Sequence, residues 1–141
     1  MKLMRVFLFA LVALSTLIPL ASAARAPVPI ESFEGLVAAD SSSSSPTQEE
    51  VRKAIYKAAA DKDWVLKETS PGVLLATLNV RDKHRVVTEI RYSAEKYSLV
   101  YVQSVNMNEA IDKDGKAVIH PFYNKWVRTL RDQIRLALAR A

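Results

Sequence analysis

Two histidines are the residues best suited to acid–base or metal chemistry in this chain of 141 residues. Neither His84 nor His120 has a second ligating side chain three or four positions away, the spacing that a helical metal site needs. The chain has no cysteine and no Gly-x-Ser-x-Gly motif, so neither a thiol nor an elbow-type serine nucleophile is predicted. We therefore expect a protein without cofactor or metal that is not an enzyme; the alternative is a small hydrolase that uses His120.

The stretch Asp112-Lys113-Asp114-Gly115 has the acidic spacing of the start of a calcium-binding loop. Such a loop also needs a bidentate glutamate at its twelfth position, whereas the twelfth residue counted from Asp112 is Tyr123. Because Asp-Gly pairs are common in tight turns, we expect a hairpin turn here that leads into a short final strand at residues 116–119.

The strongest helical period in the chain runs from Pro121 to Arg140. One continuous arc of this helix is apolar and consists of Phe122, Tyr123, Trp126, Val127, Leu130, Ile134, Ala137 and Leu138. The opposite arc carries four cations: Lys125, Arg128, Arg131 and Arg135. Such a face attracts lipid headgroups, sugar phosphates or an acidic protein surface, and the alternative is a face that is merely solvated. In the first interpretation, replacing Arg128, Arg131 and Arg135 by Glu should leave folding intact and abolish association with envelope components.

The start of the same helix brings polar and aromatic residues together. In one interpretation they are core and cap: Pro121 sets the first turn, the aromatic rings pack on a sheet, and His120 or Asn124 binds free backbone N–H groups. In the other, His120, Tyr123 and Asn124 line a groove between helix and sheet that binds a small ligand.

Residues 119–126 read Ile-His-Pro-Phe-Tyr-Asn-Lys-Trp. This segment resembles a signature of small, uncharacterised exported proteins and lipoproteins of proteobacteria. The resemblance implies an exported α+β domain and no particular activity. Lipoprotein members have a cysteine at the cleavage site, which this chain lacks, so the resemblance does not extend to a lipid anchor.

The segments before this helix predict the rest of the fold. A first helix should begin at Ser45-Pro46 or Thr47, where two capping-box spacings occur. Alternating, β-branched and aromatic residues then predict four strands at residues 64–69, 73–80, 84–92 and 97–105. Short connections force antiparallel neighbours. We expect one α+β domain, residues 46–141, in which an antiparallel meander sheet of four to five strands is covered on one face by the N- and C-terminal helices, in the order α-β-β-β-β-α.

The first 45 residues are predicted to lie outside this domain. Residues 1–23 combine early positive charges, an apolar run and a final Ala21-Ser22-Ala23, the pattern of a cleavable signal peptide. Residues 24–45 contain two prolines and a run of serines. This composition is typical of a flexible linker, and we exclude the segment from the fold.

The predicted compartment narrows the function. An exported chain without cysteine or Asn-x-Ser/Thr sites fits a bacterial periplasm better than a secreted eukaryotic protein. We expect a periplasmic accessory or binding protein of the cell envelope that is neither lipidated nor, once the signal is removed, an integral membrane protein. Its partner would be an anionic envelope component or a protein, and not nucleic acid. An inhibitor of a hydrolase is an alternative class.

Overall fold

The computed structural model describes residues 25–39 and 44–141; the predicted signal peptide lies outside these ranges. Within them the chain forms an α+β fold of eight strands and two helices. Their bounds are β1 Val28–Pro29, β2 Phe33–Val37, α1 Gln48–Asp61, β3 Val65–Ser70, β4 Val73–Val80, β5 His84–Tyr92, β6 Lys96–Val105, β7 Ala110–Ile111, β8 Ala117–Ile119 and α2 Pro121–Ala139.

A five-stranded antiparallel sheet forms the centre of the fold, with the strand order β2-β6-β5-β4-β3. The predicted meander from β3 to β6 is confirmed, because each of its connections is too short for anything but an antiparallel return. In the β3–β4 turn, Gly72 has a φ of +76°, and a Cβ at this position would lie 3.0 Å from the carbonyl oxygen of Tyr92. The close approach of two hairpins therefore requires glycine there.

Both helices pack on one face of this sheet, as the sequence predicts. Alternate side chains of the central strands point to the helices, and Leu74, Ile90 and Leu99 are completely buried. The opposite face of the sheet is uncovered, so that Val65 and Val102 remain 66% and 45% exposed. Two-residue periodicity thus separates a core face from a more solvated face. Val87 of β5 is the exception, since it lies on the face of Val65 and is 4% exposed.

Helix α1 begins where its capping box predicts. Thr47 is the N-cap: its Oγ1 accepts the Glu50 N–H at 3.2 Å, and the Glu50 carboxylate accepts the Thr47 N–H at 2.7 Å. The hydrogen bonds that the Glu50 carboxylate accepts from the Thr47 backbone N–H and hydroxyl lower the pKa of Glu50. The buried face of the helix carries two large side chains, Val51 and Ile55, with small alanines between them and the C-terminal end, and α1 packs closely against α2.

The prediction that residues 24–45 lie outside the fold is wrong for much of that segment. Strand β2 adds to the free edge of β6, and β1 pairs with β8 in a second, three-stranded sheet of order β1-β8-β7. We call residues 25–39 the N-terminal strap. The sequence of the strap has no periodic apolar pattern, so it does not predict these strands. Backbone pairing with β8 and β6, far along the chain, holds the strap in place.

The hairpin of β7 and β8 confirms the predicted turn at Asp112 to Gly115. The Asp112 Oδ1 accepts the backbone N–H groups of Asp114 and Lys116 at 2.8 and 2.9 Å. The carboxylate thus closes a tight turn. In the described ranges, no helix combines the length and the apolar character needed to cross a membrane.

Candidate functional site

Helix α2 starts at a histidine cap. The backbone N–H of Phe122 donates to Nδ1 of His120 at 3.1 Å, and Pro121 occupies the first helical position. The cap interpretation of His120 therefore describes its main contact, with Nδ1 engaged as an acceptor. The imidazole also packs against the Phe122 ring, with 4.8 Å between the ring centroids.

Tyr123 lies in the core and does not line a groove, which corrects one part of the predicted site. Its side chain is completely buried and meets the ring of Tyr101 edge-on at 5.1 Å. Its hydroxyl shares a 3.2 Å hydrogen bond with the buried hydroxyl of Thr88. Burial raises the pKa of Tyr123 to about 12. The aromatic edge of the predicted site is therefore a packing element.

Asn124 is a second correction, since its amide neither caps α2 nor faces a groove. The side chain is 4% exposed. Its Oδ1 accepts the backbone N–H of Glu31 at 3.1 Å, and its Nδ2 donates to the carbonyl of Pro29 at 2.9 Å. Asn124 thus completes the hydrogen bonding of the strap as a further backbone strand would.

Arg128 and Arg131, two of the four predicted cations on α2, hold the same strap. Arg128 donates to both carboxylate oxygens of Glu31, with Nε at 2.7 Å from Oε2. This bidentate contact lowers the pKa of Glu31. The Arg131 guanidinium lies 4.5 Å from the centre of the Phe33 ring and donates to Asp132 at 3.0 Å. Both arginines therefore contact the strap and are not simply solvated. That folding does not depend on them stays a prediction.

Arg135 and Lys125 differ from those two arginines. Both are exposed, and neither belongs to an ion pair among the described residues. Arg135 lies towards the C-terminal end of α2, beside a cavity of about 260 Å³ that Val37 and Leu136 also line. Lys125 lies near the N-terminal end. The four predicted cations therefore differ in role. Arg128 and Arg131, in the middle of α2, contact the strap, whereas Lys125 and Arg135 lie exposed towards the two ends of the helix.

A cavity of about 290 Å³ lies at the N-terminal end of α2. We call it the α2 pocket. Its lining residues come from the β4–β5 turn and from the first two turns of α2, and they are Val80, Arg81, His84, Phe122, Lys125 and Trp126. No carboxylate is among them, and Arg81 joins no ion pair among the described residues either.

The backbone conformation of the β4–β5 turn places Arg81 and His84 at the pocket. Arg81 and Asp82 both have φ values of +54°, an uncommon conformation that fixes a tight connection between two registered strands. The ring of His84 is oriented by a 2.8 Å hydrogen bond from Nδ1 to the carbonyl oxygen of Asn106. A carbonyl can only accept, so Nε2 is the ring nitrogen left for a ligand.

Phe122 and Trp126 supply the apolar floor. Phe122 is 36% exposed, although the helical period placed it in the buried arc. Its ring lies 5.8 Å from that of Trp126, with 41° between the planes, and the guanidinium of Arg25 lies 4.9 Å from its centre. The strap therefore brings a further cation to the border of the pocket.

The pocket suits binding better than bond breaking. It offers two cations, an imidazole and two aromatic rings, but its lining contains no serine, cysteine or carboxylate to act with the histidine. In the described ranges, no three His, Cys, Asp or Glu side chains come together as a metal site. Nothing in the described part of the chain points to catalysis.

Of the predicted site residues, only Lys125 lines this pocket. His120 does not line it, but its ring packs against Phe122, which does. Arg81, His84 and Trp126 were missed, because no local pattern connects a hairpin turn to a helix about forty residues later. Comparisons of the chain with protein-family models, with curated proteins and with solved structures gave no match.

Proposed function

We propose that this protein is an exported, periplasmic, non-catalytic accessory protein that binds an anionic component of the cell envelope in the α2 pocket. The observation that carries the proposal is the pair of exposed cations, Arg81 and Lys125, at a concave aromatic surface whose lining contains no carboxylate. Unpaired like charges gathered from distant segments destabilise a fold slightly, and an anionic ligand would offset that repulsion.

The signal-like sequence of residues 1–23 supports the envelope as the compartment. The engagement of His120 supports a non-catalytic role, because its Nδ1 is occupied by the Phe122 N–H and so cannot serve as a base without loss of the cap. The pocket also replaces the whole cationic arc as the binding surface, since Arg128 is bound to Glu31.

Co-sedimentation with washed envelope fragments of a Gram-negative bacterium tests the proposal. We expect the parent protein to sediment with the fragments and the double variant Arg81→Glu/Lys125→Glu to lose at least about tenfold in apparent affinity, or ~1.4 kcal/mol. Added salt should weaken the parent's association.

Arg85→Glu/Lys67→Glu is the charge-matched control, because both residues are exposed and lie on the other face of the sheet. This variant should sediment as the parent does. Equal losses in both variants would mean that only overall charge matters, and unchanged sedimentation of Arg81→Glu/Lys125→Glu would mean that the pocket is not used; either outcome overturns the proposal.

A further inference from the structure

We infer that the ligand of the α2 pocket is a sugar ring that carries a carboxylate or phosphate group, an inference that rests on the proposed function. Three features of the pocket indicate this ligand: its size, the arrangement of its aromatic rings and the placement of its polar groups.

The size of the pocket suits a ligand that places one ring in it. Ligand pockets in proteins span roughly 300–1,000 Å³, and this cavity, at about 290 Å³, lies just below that range. This volume suits a single six-membered ring with one substituent. The open side of the pocket would leave the rest of a larger ligand in solvent.

The two aromatic rings favour a saccharide over a planar ligand. The planes of Phe122 and Trp126 are tilted by 41°, so they do not form the parallel slot that would enclose a flat base on both sides. A sugar ring presents an apolar C–H face to one aromatic ring and directs its hydroxyl groups outwards. The exposed part of Trp126 is suited to this contact, because no cation lies over its indole among the described residues.

The polar groups match the rest of such a ligand. Arg81 offers a planar set of donors and Lys125 a compact ammonium, which are the groups that bind carboxylate and phosphate. Nε2 of His84 remains for a hydroxyl, since Nδ1 is bound to Asn106. A free inorganic anion would use the cations and leave the aromatic floor exposed to water. The ligand that uses all three kinds of group is an acidic sugar.

The experiment is a titration of the purified chain, followed by the indole N–H signals of its two tryptophans in NMR spectra. Trp126 lines the pocket, whereas Trp64 is 4% exposed in the core and serves as an internal reference. The probes are glucuronic acid for the carboxylate, glucose 6-phosphate for the phosphate, and glucose and inorganic phosphate as the separate halves.

We expect saturable shifts of the Trp126 signal with at least one of the two acidic sugars, and affinities for glucose and for inorganic phosphate that are each weaker by about tenfold or more. Comparison of the two acids distinguishes a uronic acid from a sugar phosphate. Arg81→Glu should remove binding, and Arg85→Glu should retain it.

Phe122→Leu keeps an apolar side chain of similar size and removes the aromatic ring. It should weaken the binding of the acidic sugar and leave the weak binding of inorganic phosphate unchanged. Near-UV circular dichroism checks that the variant is folded, and a misfolded variant would leave the four-ligand comparison on the parent as the decisive measurement.

Two results would overturn the inference: no saturable shift with either acidic sugar, or inorganic phosphate binding as tightly as the better-bound acidic sugar. These failures are distinguishable from failure of the proposed function. Pocket-dependent sedimentation with envelope fragments, but no sugar binding, would disprove the ligand class alone. If the sugar binds, but the pocket variants sediment with the fragments as the parent does, the envelope role alone is disproved.

Discussion

The side chains of α2 show how one residue type takes different roles according to what lies opposite it. Arg128 meets Glu31 and becomes a structural clamp, whereas Lys125, one turn earlier, meets aromatic rings and remains available to a ligand. Periodicity along the helix predicts which residues share a face. It contains no information about the segments that cover part of that face, so it could not separate the two roles.

Tyr123 and Thr88 form the buried polar pair of the core, and their hydroxyl groups satisfy each other. Tyr123→Phe should destabilise the fold by about 1–2 kcal/mol, because the Thr88 hydroxyl is then left without a partner in the interior. Thr88→Val should cost a similar amount for the converse reason. Urea unfolding of each variant gives the two values.

The double variant Tyr123→Phe/Thr88→Val removes both halves of the hydrogen bond. We expect it to cost less than the sum of the single changes by about 1 kcal/mol, since no unpaired hydroxyl remains. Strictly additive losses would mean that the two hydroxyl groups do not depend on each other.

Among the elements, the four long strands and α2 were predictable. In each of them, apolar residues recur at the spacing that places them on one buried face. Strands β4 and β5 occupy the residues predicted for them, Val73–Val80 and His84–Tyr92. The strap was not predictable in this way. Strand β2 has five residues, one of them Gly35, and its register shifts within the strand, so alternation does not identify it.

The candidate site was less predictable than the fold for the same physical reason. The residues of α2 that line the pocket are part of a recognisable helix, but Arg81 enters from a turn whose role depends on tertiary packing. His84 stood out only as one of two histidines. A pocket formed by segments distant in sequence leaves no local spacing to detect.

Docking of the strap should depend on pH through Glu31. The bidentate Arg128 contact lowers the pKa of this carboxylate from its ordinary value of 4.5, and Arg131 adds to the effect. A lowered pKa in the folded state means that the stabilisation is complete above 4.5 and is lost as the pH falls through the folded value. Amide protection of β1 and β2, relative to that of β4, should therefore decrease on acidification.

Glu31→Gln is the matched variant, because glutamine keeps the shape and cannot ionise. Its strap should be less protected than the parent's at neutral pH by a several-fold factor in exchange rate, and the two proteins should converge in acid. Hydrogen exchange followed by mass spectrometry provides the measurement. Identical protection of the two proteins at neutral pH would show that the ion pair does not hold the strap.

At the scale of the whole molecule, the strap connects the predicted export signal to the candidate site. Arg25 lies against Phe122 at the border of the α2 pocket, only two residues after Ala23, where the signal peptidase is predicted to cut. Cleavage after Ala23 would leave Arg25 as the second residue of the mature chain.

Production of the full chain in a Gram-negative host should give a periplasmic protein that begins at Ala24 and carries no lipid, since the chain has no cysteine to acylate. The intact mass and the N-terminal peptide establish both points. Ala23→Leu places a large side chain at the cut, so this variant should retain residues 1–23 and fractionate with the membrane. Recovery of the parent with its first 23 residues, or from the cytoplasm, would disprove export, and with it the envelope as the source of the ligand.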